Sequence, residues 1–269
     1  MTGIGARIEK RLWREGILTW SDFIKARDMD FISPEKKVSF DGQLSSARQE
    51  LKKSNAEYFA RTIKRREHWR LFENFRDQAV CLDIETNGFM PDKGGYVTVV
   101  GLYDGHDYKC FVRNVNLSAE NLKREFSRYK YIITFYGTAF DIPFLMRAMP
   151  DLRFDIPHFD ICFGAKKLGF KGGFKKLEVA LNIERDETVQ GMNGYDAVHL
   201  WEHARRGSNE ALEQLKIYNR EDTVNLFQIA DTIYTGLRAQ TGINEYLPNR
   251  GVSMNCSSAE CLQIFNARN

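Results

Sequence analysis

The stretch Cys81-Leu82-Asp83-Ile84-Glu85-Thr86 places two carboxylates in an otherwise apolar run. The aliphatic and β-branched residues of 79–84 predict a strand, and side chains two residues apart on a strand point to the same face. Asp83 and Glu85 therefore share a face. An exposed polar face would account for such a pair, but the rest of the strand is apolar and a buried carboxylate needs a partner. Metal ions are suitable partners.

Two further segments add acidic residues later in the chain. Asp141, in Phe135-Tyr136-Gly137-Thr138-Ala139-Phe140-Asp141-Ile142-Pro143, begins a predicted helix, where a carboxylate suits the helix dipole. Tyr218 and Asp222, in Tyr218-Asn219-Arg220-Glu221-Asp222, are four residues apart and share a helix face. Taken singly, these residues would be a helix cap and a structural hydrogen bond. All three segments in this order predict one cleft with four carboxylates, the oxygen donors that a pair of magnesium-like ions requires.

The elements around these segments predict a layered α/β domain. Apolar runs bounded by turn residues predict five strands, and hydrophobic periodicity with capping residues predicts the helices. The strands are predicted at 79–84, 96–103, 108–112, 131–135 and 156–161, and the helices of this part at 118–129, 140–149, 175–181, 196–205 and 209–234.

The composition is that of a folded chain without a membrane span. Of the 269 residues, 43% are hydrophobic, and no apolar run approaches the ~20 residues that cross a bilayer. No apolar signal segment follows Met1, so we expect a cytoplasmic protein. The five scattered cysteines predict buried, reduced thiols. The net charge of +3 is uneven, because residues 1–78 carry 17 Lys+Arg against 12 Asp+Glu, which suits a grip on a polyanion.

Three regions are predicted along the chain. Residues 1–77 form a basic helical region, residues 78–235 the α/β domain, and residues 236–269 a C-terminal extension. Gly3-Ile4-Gly5 followed by a helix pair resembles half of a helix-hairpin-helix module, in which a glycine turn holds a DNA phosphate. A plain helical hairpin is an equal alternative. Residues 45–76 are predicted to be helical, with a basic cluster that is either a solvated face or a phosphate-contacting stripe.

Together the three acidic segments resemble the motifs of the DEDD, or DnaQ-like, superfamily of 3′–5′ exonucleases. Asp83 and Glu85 match the first motif, Asp141 the second and Asp222 the third. Tyr218 fits the tyrosine form of the third motif, which indicates the DEDDy subclass. The resemblance implies a ribonuclease-H-like fold, a mixed five-stranded sheet flanked by helices.

Within that subclass the chain is most similar to the YprB-type ribonuclease-H-like family. The closer likeness lies in Lys171-Gly172-Gly173-Phe174-Lys175-Lys176-Leu177-Glu178 and in the helical tail that ends near Asp222. It covers about residues 79–235. One departure is Tyr136, where many relatives have Asn; it bears on loop geometry or substrate fit and not on metal binding.

The resemblance implies hydrolysis of phosphodiester bonds with two divalent cations, Mg²⁺ or Mn²⁺. Asp83 would bridge both ions, Glu85 and Asp222 would complete the site of the attacking water, and Asp141 would help to hold the second ion. Tyr218 would orient the water. An all-oxygen site also argues against zinc.

Candidate nucleic-acid contacts flank these motifs. Thr86 and Phe89 follow the first motif, and Phe89 with Met90 would wedge against a terminal base or simply pack in the loop. The run 166–176 holds five lysines and two phenylalanines, which favours a strip that follows a nucleic-acid backbone, with a solvated loop as the alternative. The lysines assigned to this contact are Lys171, Lys175 and Lys176.

The leading hypothesis is a metal-dependent 3′–5′ exonuclease on DNA or RNA, with a single strand or a 3′ end as its nucleic-acid partner. A structure-specific endonuclease of the same fold and a catalytically inactive nucleic-acid-binding protein are the alternatives. A repair or replication protein is a candidate protein partner. No membrane association is expected.

Overall fold

A computed structural model describes residues 3–247 of the chain. It places five strands in one mixed sheet with the order β3-β2-β1-β4-β5. The strands are β1 Ala79–Thr86, β2 Val97–Tyr103, β3 Tyr108–Val112, β4 Tyr131–Thr134 and β5 His158–Asp160. Strand β2 is antiparallel to β1 and β3, whereas β4 is parallel to β1 and β5 is parallel to β4. The mixed five-stranded sheet flanked by helices confirms the predicted fold class.

The side chains of β1 point alternately to the two faces of the sheet and pack into two separate hydrophobic cores. Ala79 and Cys81 pack into the cluster on one face of the sheet, while Val80, Leu82 and Ile84 pack into the cluster on the other face. Side chains alternate across a strand, so Asp83 and Glu85 continue the face of Cys81. That face is covered by the helix Asn209–Thr241, the longest within residues 3–247, and the acidic pair therefore points towards it.

Helices flank the sheet and also precede it in residues 3–247. They are α1 Ala6–Arg14, α2 Trp20–Lys25, α3 Pro34–Lys52, α4 Ala56–Thr62, α5 Phe72–Phe75, α6 Ala119–Phe126, α7 Asp141–Ala148, α8 Ile161–Lys167, α9 Phe174–Ala180, α10 Gly194–Ala204 and α11 Asn209–Thr241. Short 3₁₀ helices lie between them, including Arg65–Leu71 just before α5.

The predicted helix at 45–76 was wrong in its extent. Helix α3 begins earlier, at Pro34, with the side chain of Ser33 as its cap. The chain then breaks after Lys52, because Ser54 has a φ of 51° and Asn55 caps the next helix. Backbone with positive φ cannot continue a right-handed helix.

The N-terminal helices form a small core of their own and then join the main one. The small core consists of Leu12, Phe23, Met29, Ile32, Phe40 and Leu44. Phe59, Phe72 and Phe75 instead pack in the same cluster as β1 and β4. The boundary at residue 77 stays a prediction. The extension predicted at 236–269 begins inside α11, and its residues 248–269 lie outside the described part of the chain.

Helix α11 lies unusually close to the sheet at Gly101. Asp83 on β1 pairs with Gly101 on β2. A Cβ on Gly101 would lie 2.1 Å from Oδ1 of Asn219 and 2.5 Å from Oγ1 of Thr223. The absence of a side chain at this position therefore allows α11 to approach the acidic pair of β1. Within residues 3–247, no helix is both long and apolar enough to cross a membrane.

Candidate active site

Three carboxylates converge where α11 crosses β1. One oxygen each from Asp83, Glu85 and Asp222 lies within 4.8 Å of the other two. The first two come from the end of β1, and the third comes from the middle of α11. Tyr218 lies one helical turn before Asp222 and lines the same cleft. The structure thus brings together four of the five residues that the motifs single out.

Asp141 lies beside this group without joining it. It is the first residue of α7 and is buried, and its Oδ1 accepts a hydrogen bond from the backbone N–H of Ile84 at 3.1 Å. This bond ties α7 to β1 between the two acidic residues of the strand. Burial raises the pKa of Asp141 to about 7, and its charge contributes to the raised pKa of Asp83.

The site holds more acidic than basic side chains. Burial, reinforced by the neighbouring carboxylates, raises the pKa of Asp83 and of Glu85 well above their usual values. Carboxylate oxygens at this spacing, without a cysteine or histidine among them, are the donors that Mg²⁺ and Mn²⁺ prefer. A divalent cation would offset the mutual repulsion, and the residues present therefore fit such an ion.

Asn219 donates hydrogen bonds to both carboxylates of β1. It is fully buried on α11, and its Nδ2 donates to Oδ2 of Asp83 at 2.8 Å and to Oε1 of Glu85 at 3.4 Å. Its Oδ1 accepts from the hydroxyl of Tyr108 at 2.8 Å. Sequence reasoning missed this residue. The spacing of Asn219, Thr223 and Leu226 along one side of a helix was the available signal that Asn219 faces the sheet.

Arg185 is a second residue that the sequence analysis missed. Its side chain is 8% exposed, and it donates to Oε2 of Glu178 from Nε at 2.9 Å and from Nη2 at 2.8 Å. Nη2 also donates to Oδ1 of Asp222. Arg185 follows α9 in a loop, and no periodic pattern marks it, so only the folded chain reveals this contact. Glu178 and Asp222 share one guanidinium, which partly compensates the charge of the cluster.

Phe89 and Met90 form the rim of the cleft. The cleft has a volume of about 360 Å³ and is also lined by Thr86 and Phe140. Phe89 is 60% exposed and Met90 is 54% exposed. Asn87 holds this loop, since its side chain accepts from the N–H of Tyr96 at 2.9 Å and donates to the carbonyl of Gly94 at 3.2 Å. Both apolar side chains are thus held at the mouth of the acidic cleft.

The three predicted lysines are placed differently from one another. The Nζ of Lys175 lies 4.4 Å from the centroid of the Tyr218 ring and is buried without a hydrogen-bond partner in the described part of the chain. Burial lowers the pKa of Lys175. Lys171 and Lys176 are exposed, the first before α9 and the second in its first turn. Only Lys175 therefore contacts a residue of the site directly.

Comparison with known proteins identifies the family. A model of the RNase_H superfamily matches residues 80–234, which is more than half of the chain. The chain belongs to this superfamily, and its sheet is the ribonuclease-H-like sheet that the motifs predicted. Membership indicates hydrolysis of nucleic acids with divalent metal ions. No curated protein matches the chain. A solved structure described as the apo form of the nuclease shares 18% identity with a TM-score of 0.42, covering 68% of this chain and 91% of that one.

Proposed function

We propose that the protein is a metal-dependent 3′–5′ exonuclease of the DEDDy type that acts on DNA or RNA. The observation that carries this proposal is the convergence of Asp83, Glu85 and Asp222 in one cleft that Tyr218 also lines. Asp141 completes the proposed set of four carboxylates from its place beside β1.

Two divalent cations, Mg²⁺ or Mn²⁺, are the proposed cofactors. Asp83, Glu85 and Asp222 would hold them, with Asp141 as an additional ligand. Bound ions of this kind polarise a phosphodiester and stabilise the charge that develops on it during hydrolysis. Asn219 keeps Asp83 oriented by its hydrogen bond, so less reorganisation is needed when the ions bind.

Tyr218 is proposed to orient the attacking water. Its pKa is raised by burial and by the charge of Asp222. A phenol with a raised pKa stays protonated at neutral pH, so its hydroxyl positions the water and does not take its proton. The Nζ of Lys175 lies 4.4 Å from the centroid of the Tyr218 ring, and from there it would offer a positive charge to the backbone of a bound strand.

The volume of the cleft favours the end of a nucleic-acid strand as the substrate. About 360 Å³ is a volume near the lower limit of small-ligand sites, which span roughly 300–1,000 Å³. One terminal nucleotide suits that size better than the middle of a duplex. Phe89 and Met90 at the rim would contact the terminal base, Thr86 its sugar or phosphate, and Lys171, Lys175 and Lys176 the following backbone.

A circular single strand, which has no 3′ end, distinguishes this proposal from the endonuclease and from the inactive nucleic-acid-binding protein. A single-stranded circle and a linear strand of the same sequence, labelled at its 5′ end, are incubated with the protein and Mn²⁺. An exonuclease shortens the linear strand from its 3′ end and leaves the circle intact. Opening of the circle would instead indicate an endonuclease. Binding of both strands without any product would indicate a nucleic-acid-binding protein.

A further inference from the structure

Two exposed aromatic rings lie side by side on the edge of the sheet that carries the acidic cleft. Tyr136 is 48% exposed and Phe163 is 45% exposed, and their ring centroids are 6.2 Å apart. The Nζ of Lys166 lies 5.8 Å from the centroid of the Tyr136 ring and 5.4 Å from that of Phe163. We call these three residues the aromatic platform. Large apolar side chains exposed together mark binding surfaces more often than single ones do.

The backbone of Tyr136 is strained. Its φ is 65°, in the left-handed region that a non-glycine residue occupies at a cost of roughly 1–2 kcal/mol. Asn and Asp adopt this conformation more readily than an aromatic residue. The chain thus carries a bulky, exposed ring at a position where a small polar residue would be more stable. A strained residue of this kind points to a role in binding.

Asp160 fixes both halves of the platform. Its carboxylate accepts from the N–H of Tyr136 at 2.8 Å and from the N–H of Thr138 at 2.9 Å. It also caps α8 by accepting from the N–H of Cys162 at 3.2 Å. Phe163 lies on α8, so the same buried carboxylate sets the positions of both rings. Their arrangement is therefore built into the fold.

The platform lies within a short reach of the acidic cleft. Strands β1, β4 and β5 run parallel, so the ends that precede Asn87, Phe135 and Ile161 meet at one edge of the sheet. Asp141 lies five positions after Tyr136 in the chain, and this length of chain spans at most about 17 Å when extended. Stacked nucleotides rise about 3.4 Å each along a strand, so at most about five nucleotides reach from the platform to Asp141 beside the cleft.

We propose that the aromatic platform stacks on the unpaired bases of a nucleic-acid strand whose 3′ end lies in the cleft. The inference rests on the proposed function and specifies its substrate as single-stranded. Aromatic rings stack on any base, and a lysine beside them contacts the adjacent phosphate, so the platform binds without sequence preference. Lys166 provides the charge that complements the strand.

The test is the affinity of a ten-nucleotide strand labelled with fluorescein, measured by anisotropy in an Asp83→Asn background that prevents digestion. Tyr136→Asn removes the ring and suits the positive φ, so we expect an affinity about tenfold lower with an unchanged or higher Tm. Tyr136→Phe keeps the ring and should keep the affinity. Phe163→Gln removes the second ring, which lies on α8, and should weaken binding in the same way. A loss in both variants could not be explained by a local folding defect at Tyr136.

An abasic strand of the same length separates stacking from charge. Its affinity should not change with Tyr136→Asn or Phe163→Gln, because it has no bases to stack. The proposal would be overturned if the variants lost as much affinity for the abasic strand as for the normal strand. It would also be overturned if both variants bound the normal strand with unchanged affinity. Cleavage of a linear strand by the wild-type protein is measured in parallel, so a failure of the platform is distinguished from a failure of the nuclease function.

Discussion

The Nδ2 of Asn219 lies 2.8 Å from Oδ2 of Asp83, and this hydrogen bond joins α11 to the acidic end of β1. The Oδ1 of Asn219 also accepts a hydrogen bond from the hydroxyl of Tyr108. The same helix carries Tyr218 and Asp222, so one fully buried amide sets the distance between the two halves of the site. Its removal is therefore expected to affect folding and the site together.

Asn219→Leu is predicted to destabilise the protein by about 2–4 kcal/mol, because Asp83 and Tyr108 each lose a buried hydrogen-bond partner. Urea unfolding measures this loss. Tyr108→Phe is the matched control: it removes one hydroxyl, keeps the bond from Asn219 to Asp83, and should cost about 1 kcal/mol. Equal stability of the two variants would show that the bond to Asp83 contributes nothing.

The metal-free protein is predicted to lose stability as the pH rises. The folded pKa of Asp83 lies well above its unfolded value, because the carboxyl is buried beside other acids. Above the unfolded pKa the unfolded state releases its proton first, so ionisation favours unfolding until the folded pKa is passed. Asp83→Asn removes this effect and should raise the Tm in EDTA at pH 8 by about 2–4 °C, the shift that 1 kcal/mol produces, but not at pH 4.

The control for this prediction is Asp77→Asn, at an acidic side chain that is 98% exposed. It should leave the Tm unchanged at both pH values. Added Mn²⁺ should stabilise the wild type more than Asp83→Asn, because the variant has lost a ligand. If Asp83→Asn and the wild type have the same Tm at every pH, this result would contradict the raised pKa of Asp83.

Tyr218→Phe is predicted to slow cleavage by about 100-fold through loss of water positioning. The Tm and the affinity for Mn²⁺, measured by calorimetry, should stay as in the wild type, because the ring and all carboxylates remain. Tyr195→Phe, at a tyrosine that is 70% exposed on the neighbouring α10, removes an equivalent hydroxyl and should not change the rate. Weaker Mn²⁺ binding in Tyr218→Phe would show that the hydroxyl serves the metal site instead.

Arg185→Met is predicted to cost about 3–5 kcal/mol, since it leaves a buried carboxylate without its ion-pair partner. That carboxylate belongs to Glu178, whose side chain is 3% exposed. Adding Glu178→Gln to Arg185→Met should restore much of the stability, because a neutral amide needs no counter-charge. Chemical denaturation compares the two. A double variant as unstable as the single one would mean that Arg185 stabilises the protein through Asp222 or through packing, and not through the charge of Glu178.

Hydrophobic patterning was enough to predict the five strands and the order of the elements around them. It missed α8 because Asp160 is both the last residue of β5 and the cap of the helix, so no turn residue separates the two. The motifs located Asp83, Glu85, Tyr218 and Asp222, since their chemistry is carried by residue type and spacing.

Contacts between distant segments could not be predicted in this way. The bond of Arg185 to Asp222 joins a loop to a helix 37 residues later, and the bond of Asp141 to Ile84 spans 57 residues. Such pairs depend on how helices lie on the sheet, which is decided by packing at positions such as Gly101. The positive φ of Tyr136 is likewise a property of the folded loop.

The most direct measurement of the central claim is the product pattern of a single strand labelled at its 5′ end. The strand is incubated with wild type, Asp83→Asn or Asp222→Asn, in Mn²⁺ or in EDTA, after both variants are shown to be folded. We predict a ladder that shortens from the 3′ end with the wild type in Mn²⁺ and no product in any other lane. Equal cleavage by either variant, or cleavage in EDTA, would contradict a metal-dependent nuclease at this cluster.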